Sequence, residues 1–319
     1  MRPAASIRYD CHIVPRYFGM VTTRHSTPYT VAALRSFFHH TPLARDDAFL
    51  LIDNDGAFSW EGIEAPIRDR VTLHVNPAPL SCSQNGNRIL QAAHARNADA
   101  IWMNNDIIFT RGWLQPICID TPAVITPTCN QNFQYRTDRL TLKSSMTLEE
   151  FRAGANQLPA IMAEHRKRHT QIITAYKTTY FCVRIPPTVY RSVGLLETSF
   201  GIAGGEDEDY CIRSYLAGFP VLVATASYLI HFAGRSTWSG PESREQWVER
   251  EKSFIANFRR KWGPSLCRFL VYKDASLLDQ HPNFREAETS GGIAALFREM
   301  AHHDGIAVEE LLAKSQKFS

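Results

Sequence analysis

The sequence has no apolar run that approaches the roughly 18 residues needed to span a bilayer. Its first ten residues are polar and lack the apolar stretch of a secretory signal. From these two absences we expect a cytoplasmic protein. Disorder is excluded as a description of the whole chain, because 44% of its 319 residues are hydrophobic.

Strong net charge is also missing, since 35 basic and 32 acidic residues leave a formal charge of +3. This balance gives no support to a nucleic-acid partner. The seven cysteines are odd in number and irregularly spaced, and no Cys-x-x-Cys pair occurs. Such a pattern indicates reduced structural thiols rather than a disulfide framework or a zinc site.

Strand and helix signals alternate through the first hundred residues. In chain order they predict strand, helix, strand, strand, helix and strand at Tyr17–Thr23, Pro28–His39, Ala48–Asp53, Val71–Asn76, Asn85–Arg96 and Ala100–Met103. This order is typical of an α/β fold with a parallel sheet and helices on its faces. Ligands of such sheets bind beyond the carboxyl ends of the strands.

The second half continues this pattern and then becomes helical. Further predicted elements are a strand at Thr178–Ile185, a helix at Glu206–Ala217, and strands at Val221–Ala224 and Tyr228–His231. The basic run His165–His169, in a polar and helix-prone middle stretch, is interpreted as a solvated helix face. Beyond residue 240, aromatic residues from Trp247 to Trp262 recur at helical spacing and predict a core-facing stripe. We therefore divide the chain into an α/β domain, residues 1–240, and a helical appendage, residues 241–319.

Two polar clusters directly follow predicted strands. Asp53, Asn54, Asp55 and Gly56 form either a tight turn or a carboxylate site for a nucleobase or ribose. Asn104-Asn105-Asp106 is either another strand-end turn or an oxygen-ligand site. Mg²⁺ takes one or two carboxylates together with substrate phosphates, and Asp106 can supply one carboxylate.

Four consecutive acids, Glu206–Asp209, follow the flexible pair Gly204-Gly205. One or two acids in a first helical turn are stabilised by the helix dipole, but four repel one another. The functional interpretation is that the acidic cluster contains a general base, which deprotonates an attacking hydroxyl. His231, at a strand end, is either a structural histidine or a metal ligand beside Asp106.

Four segments and their order along the chain carry a family resemblance: NGNRILQAAHARNADAIWMNND, SVGLLETSFGIAGGEDEDYCIRSYLAGFPV, YLIHFAGRSTW and RRKWG. Together they resemble the GT-A glycosyltransferases, and specifically family 2, of the rhamnosyltransferase and polysaccharide-biosynthesis type. The resemblance covers roughly Tyr17 to Trp262. It implies a GT-A fold, which is a Rossmann-like, mostly parallel sheet with helices on both faces, here followed by the C-terminal helical appendage.

The resemblance also implies a site for Mn²⁺ or Mg²⁺ and for a nucleotide-diphosphate sugar. Asp106 stands where the family's Asp-x-Asp motif holds the metal, and His231 is implied as a second ligand. Contacts to the donor nucleotide are implied for Thr23, Asp53, Asp55, Asn87, Arg88, Asn104 and Asn105.

For the reaction, the resemblance implies that Asp207 is the catalytic base and that Glu206 assists it. Glu208 and Asp209 are implied to support the acceptor or the helix start. The expected activity is inverting transfer of a hexose or deoxyhexose to a hydroxyl of a glycan or lipid-linked acceptor. The alternatives are a catalytically silent carbohydrate-binding or scaffold protein on the same fold and a sugar nucleotidyltransferase.

A cluster of three cations, Arg259, Arg260 and Lys261, lies near aromatic residues at the end of the predicted C-terminal helix. It is either a helix end whose cations offset the dipole or a weak peripheral contact with the inner face of the membrane.

Overall fold

The computed structural model describes residues 14–130, 146–235, 243–315 and 317–318. Its strands are β1 Arg16–Thr22, β2 Ala48–Asp53, β3 Thr72–Val75, β4 Asp99–Met103, β5 Ile107–Ile108, β6 Val124–Cys129, β7 Ile172–Thr174, β8 Cys182–Ile185 and β9 Val221–His231. Its helices are α1 Thr27–His40, α2 Ala65–Arg68, α3 Cys82–Ala95, α4 Leu148–Gly154, α5 Leu158–Arg168, α6 Pro187–Val193, α7 Glu206–Leu216, α8 Arg244–Leu266, α9 Leu277–Gln280, α10 Pro282–His303 and α11 Val308–Ala313.

Within these residues, nine strands form one sheet in the order β3-β2-β1-β4-β8-β6-β9-β5, and β7 pairs with β9. The pairs β1–β2, β1–β4, β2–β3 and β6–β9 are parallel. Strand β8 runs antiparallel to both β4 and β6, and β5 and β7 run antiparallel to β9. Six strands therefore share one direction, and the predicted α/β architecture with a mostly parallel sheet is confirmed.

Helices cover both faces of the sheet, because alternate side chains of each strand point to opposite sides. Phe18 and Met20 of β1 pack with Phe37 of α1 in one core. Tyr17 and Val21 pack in the other core, which also contains Ile89 of α3 and residues of α6, α7, α8 and α10. Burial on both faces explains why the central strands read as continuous apolar runs.

Several predicted boundaries are wrong, and each error has a local cause. Val221–Ala224 and Tyr228–His231 belong to one strand, β9, whose pairing with β6 changes register between Pro127 and Thr128. The strand predicted at Thr178–Ile185 begins only at Cys182, because the preceding residues form a loop. Of the polar middle stretch, residues 131–145 lie outside the described part of the chain.

The C-terminal helices pack on α7 through aromatic side chains. Phe254, Phe258 and Trp262 of α8 are buried, as the stripe predicts, whereas Trp247 is 49% exposed. Helix α8 is interrupted at Gly263, where φ is +86° and a Cβ would lie 2.5 Å from the Asp304 carboxylate. No helix in the described ranges combines the length and apolarity needed to cross a membrane.

Candidate active site

Asp106 and His231 meet because β5 pairs with the end of β9. The register places Ile107 opposite His231, so Asp106 at the preceding position lies beside the imidazole. Oδ1 of Asp106 is 3.3 Å from Nε2 of His231, and Oδ2 accepts a 3.1 Å hydrogen bond from the Arg235 backbone. Both side chains are buried.

The electrostatics of this pair follow from that burial. Burial alone would lower the pKa of His231, but the adjacent Asp106 carboxylate raises it to about 10. Burial alone would raise the pKa of Asp106, yet His231 and the Arg235 hydrogen bond hold it below its ordinary value. The Phe181 ring stacks on the imidazole with centroids 5.2 Å apart and fixes its plane.

Asp106 and His231 offer one carboxylate and one imidazole to a divalent cation. Oδ1 of Asp106 is buried, and the His231 imidazole lies 3.3 Å from it. A carboxylate and an imidazole are both ligands for such cations. No cluster of three or more acidic, histidine or cysteine side chains suited to a metal occurs among the described residues. The pair therefore fits a cation that displaces the proton of His231 on binding and takes its other ligands from substrate phosphates and water.

Asn105 connects the end of β4 to the start of α1. Its Nδ2 donates 2.7 Å hydrogen bonds to the hydroxyls of Ser26 and Thr30. Its buried Oδ1 has no hydrogen-bond partner in the described residues. The Thr23 hydroxyl lies 3.1 Å from the Ser26 hydroxyl, so Thr23 and Asn105 belong to one buried polar cluster.

Two glycines shape the turn that leads into the acidic helix α7. Gly204 and Gly205 have φ values of +104° and +85°. A Cβ at Gly204 would lie 2.7 Å from the Phe254 ring. Only glycine therefore fits the close approach of this turn to α8 without strain. The Gly204 N–H donates a 2.7 Å hydrogen bond to Oε2 of the buried Glu206.

The last two acids of the cluster are neutralised by buried cations. Glu208 forms an ion pair with Lys177, and both side chains are largely buried. Asp209 is completely buried and accepts bonds from Arg213 at 2.7 Å, from Lys261 at 2.7 Å and from the Trp262 indole at 2.9 Å. The RRKWG segment thus ties α8 to the start of α7.

Asp207 differs from its three neighbours. It is half-buried, and Oδ2 accepts a 3.0 Å hydrogen bond from the Tyr180 backbone. Oδ1 accepts no hydrogen bond from the described residues. Burial and then the charges of Glu206 and Glu208 raise the pKa of Asp207 well above its ordinary value. Such a carboxylate binds a proton more strongly than an exposed aspartate does.

One loop connects Asp207 to the pair of Asp106 and His231. Tyr180 donates its backbone N–H to Asp207, and the next residue, Phe181, stacks on His231. The Phe181 carbonyl also accepts a 2.7 Å hydrogen bond from the Asn104 backbone. The predicted base Asp207 and the predicted metal ligand His231 therefore contact two consecutive residues of one loop.

The first polar cluster forms a closed turn at the end of β2. Oδ1 of Asp53 accepts hydrogen bonds from the backbone of Asp55 and Gly56, and Oδ2 accepts one from Phe58. Asp53 thereby shapes the loop that presents the half-buried Asp55. Of the two alternatives given for this cluster, the tight turn accounts for these contacts. A contact between Asp55 and a nucleoside stays a prediction.

Asn87 and Arg88 lie in the first half of α3. The Asn87 amide holds the Leu196 backbone from both sides, accepting at 2.7 Å and donating at 3.0 Å. Arg88 is half-buried near His74, and its Nε has no hydrogen-bond partner in the described residues. The Nε–H of Arg88 is thus an unsatisfied donor within the described structure, near His74 of β3.

No protein-family model matches the sequence, and no curated protein matches it significantly. Among solved structures, the chain is similar to GalNAc-T7 with UDP, GalNAc and Mn²⁺, at 12% identity and a TM-score of 0.56. That alignment covers 97% of this chain and 60% of GalNAc-T7, so this chain spans less than two thirds of that protein.

A second similar structure is the mannosyltransferase PcManGT from Pyrobaculum calidifontis with GDP-Man and Mn²⁺. The identity is 12% and the TM-score 0.50, over 98% of this chain and 88% of that chain. The fold is of the GT-A type. At this level of identity, the similarity concerns the GT-A fold and leaves the reaction to be argued from the side chains.

Sequence reasoning missed several residues of the candidate site. Lys177, Tyr180 and Phe181 lie in or beside the predicted strand Thr178–Ile185, and no motif marks them. A buried amide network was missed as well: Oδ1 of Asn54 accepts from Nδ2 of Asn76 at 2.8 Å and of Asn85 at 3.0 Å. Three asparagines far apart in sequence carry no local signal of such a network.

Proposed function

We propose that this protein is a metal-dependent, inverting glycosyltransferase that uses a nucleotide-diphosphate sugar. The observation that carries the proposal is Asp207, a half-buried carboxylate with a raised pKa and one oxygen without a hydrogen bond from the described residues. Its neighbours Glu206, Glu208 and Asp209 are committed to other contacts. A general base needs this combination of access and proton affinity.

In the proposed reaction, Asp207 accepts the proton of an acceptor hydroxyl. The hydroxyl oxygen forms a bond to the anomeric carbon of the donor sugar while the bond to the diphosphate breaks on the opposite face. One displacement of this kind inverts the configuration of the sugar. The Tyr180 N–H holds Oδ2 of Asp207 at 3.0 Å, and this contact keeps Oδ1 available for the acceptor.

The donor side of the proposed site consists of Asp106, His231 and Arg88. Asp106 and His231 would hold Mn²⁺ or Mg²⁺, which supplies Lewis-acid stabilisation of the leaving diphosphate. Arg88 adds a fixed cation whose Nε makes no hydrogen bond within the described structure. The ligands of the two similar structures are consistent with this assignment: UDP, GalNAc and Mn²⁺ in GalNAc-T7, and GDP-Man and Mn²⁺ in PcManGT.

The nucleoside is proposed to lie against the turns at the carboxyl ends of β1, β2 and β4. These turns are built by the contacts of Thr23, Asp53 and Asn105. Asp55, Asn87 and Asn104 complete the proposed set. In this arrangement Asp53 and Asn87 act by positioning backbone segments, since their polar atoms already bond to the Asp55–Phe58 loop and to Leu196.

For the acceptor, we propose the cavity of about 400 Å³ beside the turn that leads into α7. Phe200, Ile202, Gln246 and Arg250 are among its lining residues. Ile202 is 54% exposed there. Sugar rings bind to such apolar surfaces with polar groups at their edges. The cavity therefore suits a glycan or lipid-linked glycan as the acceptor of a hexose or deoxyhexose.

A screen of nucleotide sugars with Mn²⁺ for slow release of the nucleoside diphosphate identifies the donor without knowledge of the acceptor. With that donor, Asp207→Asn is expected to lower transfer by about 10²- to 10⁴-fold. Its donor affinity should stay near that of the wild type. Glu245→Gln is the matched control, because Glu245 is an exposed acid in the first turn of α8.

Two results would contradict the proposal. Full transfer by Asp207→Asn removes Asp207 as the base. Absence of thermal stabilisation by any nucleoside diphosphate with Mn²⁺ points instead to a silent carbohydrate-binding protein, since a ligand that binds the folded state must raise its stability. Release of pyrophosphate from a nucleoside triphosphate and a sugar phosphate would indicate a nucleotidyltransferase.

A further inference from the structure

A separate cavity of about 910 Å³ lies at the amino end of β1. Arg16, the first residue of β1, lines it, whereas the last residue, Thr22, adjoins the polar cluster of the candidate active site. Seven residues of a strand span roughly 20 Å. The cavity therefore lies at the opposite end of β1 from the proposed donor site.

The cavity is lined by an unusual number of basic side chains. His39, His40, Arg70 and Arg111 belong to its wall. Arg166 of α5 reaches the same place, because its Nη2 lies 3.5 Å from the position that a Cβ on the lining residue Gly112 would occupy. These five residues are called the basic cluster below.

Among the described residues, no acid lines this cavity. Asp47 pairs with the lining residue Arg16, and Glu164 pairs with Lys167 and Arg168. Nη2 of Arg166 is buried and has no hydrogen-bond partner in the described part of the chain. Buried donors without hydrogen-bond partners are uncommon in folded proteins, so the position of this one at the wall of a basic cavity needs an explanation.

Like charges add to this imbalance. Burial and then Arg111 lower the pKa of Arg166, and no carboxylate opposes that effect. Burial, His39, Arg111 and Arg166 all lower the pKa of His40. An anion in the cavity would relieve both the repulsion and the unmet hydrogen bond.

We propose that the basic cluster binds a phosphate-bearing ligand, either a free polyanion or the headgroup of an anionic lipid. Guanidinium groups match phosphate oxygens in both charge and geometry. The cavity has the volume of a typical small-molecule site. The basic run His165–His169, interpreted from the sequence as a solvated helix face, therefore has two kinds of environment. Arg166 lies at the cavity, while Lys167 and Arg168 pair with Glu164 on the surface.

The test is calorimetric binding of tripolyphosphate in the presence of EDTA, which prevents metal-assisted binding at Asp106. The wild type should bind saturably at low ionic strength. Arg111→Gln and Arg166→Gln should each weaken binding by about tenfold to a hundredfold, as expected for loss of a hydrogen bond to a charged group. Arg168→Gln, on the exposed side of the same helix, should bind like the wild type. Arg88→Gln should also retain binding, which separates this cavity from the donor site.

Sedimentation with vesicles distinguishes the two sources of phosphate. Binding to phosphatidylglycerol vesicles but not to phosphatidylcholine, lost in Arg111→Gln, assigns the lipid headgroup; binding of tripolyphosphate alone assigns a free ligand. If the wild type binds neither probe, the inference is overturned. Equal weakening in Arg168→Gln also overturns it, because the effect would then reflect overall charge. Circular dichroism of each variant checks that the fold is retained.

Discussion

Asp209 holds α7 against α8, and we predict that Asp209→Asn strongly destabilises the fold. Its buried carboxylate bonds to Arg213, Lys261 and Trp262 at 2.7 to 2.9 Å. Burial alone would raise the pKa of Asp209, but Arg213 and Lys261 hold it below its ordinary value. The ionised form is therefore the form that the folded protein stabilises.

The size of the effect follows from what the substitution leaves behind. Asparagine has nearly the same shape and can still accept the Trp262 indole bond, so little packing is lost. The Arg213 side chain, 2% exposed, would however keep its buried charge without an anionic partner. Removing one partner of a buried ion pair costs about 3–5 kcal/mol. Trp262→Phe, which removes one hydrogen bond to a charged group, should cost roughly 1.5–3 kcal/mol.

Urea unfolding followed by far-UV circular dichroism measures both losses at neutral pH. A carboxyl group with a lowered pKa stabilises the fold above its unfolded pKa, and this contribution disappears as the pH falls through the folded value. The difference between wild type and Asp209→Asn should therefore shrink below about pH 4. A loss under about 1 kcal/mol at neutral pH, or a difference independent of pH, would refute the reasoning.

Three further predictions concern the start of α7. Asp207→Asn should raise the melting temperature at neutral pH by about 2 °C or more, because a carboxylate with a raised pKa destabilises the fold once it ionises. Glu208→Gln should move the acid limb of the pH profile for transfer to lower pH, since the charge of Glu208 raises the pKa of Asp207. Gly204→Ala should cost about 1–3 kcal/mol in urea unfolding through its contact with Phe254, whereas Gly62→Ala, with no atom within 4 Å of its Cβ, should show the smaller cost of a positive φ.

The buried central strands could be predicted from the sequence because their residues are apolar on both faces. Strand β2 has the predicted bounds Ala48–Asp53, and β4 begins one residue before the predicted Ala100. Strand direction could not be read from the same signal. Cys182–Ile185 is a short buried strand like β4, yet it runs antiparallel to β4.

The site was predictable as a set of residue types at strand ends, but not as a set of contacts. Asp53 is the last residue of β2 and Asp106 follows β4 by three residues, yet Asp53 bonds to its own loop whereas Asp106 contacts His231 at the end of β9. Local sequence describes the first contact, because its partners are within five residues. The second depends on the pairing of β5 with β9, which no local pattern encodes.

The membrane hypothesis for Arg259, Arg260 and Lys261 illustrates the same limit. Nζ of Lys261 lies 2.7 Å from Asp209 and 2.8 Å from Glu197, so this cation belongs to the interior network rather than to a surface patch. Arg260 hydrogen-bonds to Asn257. A run of three cations in sequence therefore carries less positive charge outward than its composition suggests.

We expect the four acids at the start of α7 to distinguish a catalytic site from a fold kept only for its shape. Glu208 is compensated by Lys177 and Asp209 by Arg213 and Lys261. Glu206 accepts the Gly204 N–H, although burial raises its pKa as well. Asp207 receives one backbone hydrogen bond and the repulsion of two neighbours. A binding or scaffold protein gains nothing from that repulsion, which an asparagine would remove at no cost in volume. A base that must take a proton from a hydroxyl gains from it directly, because the repulsion is what raises its proton affinity.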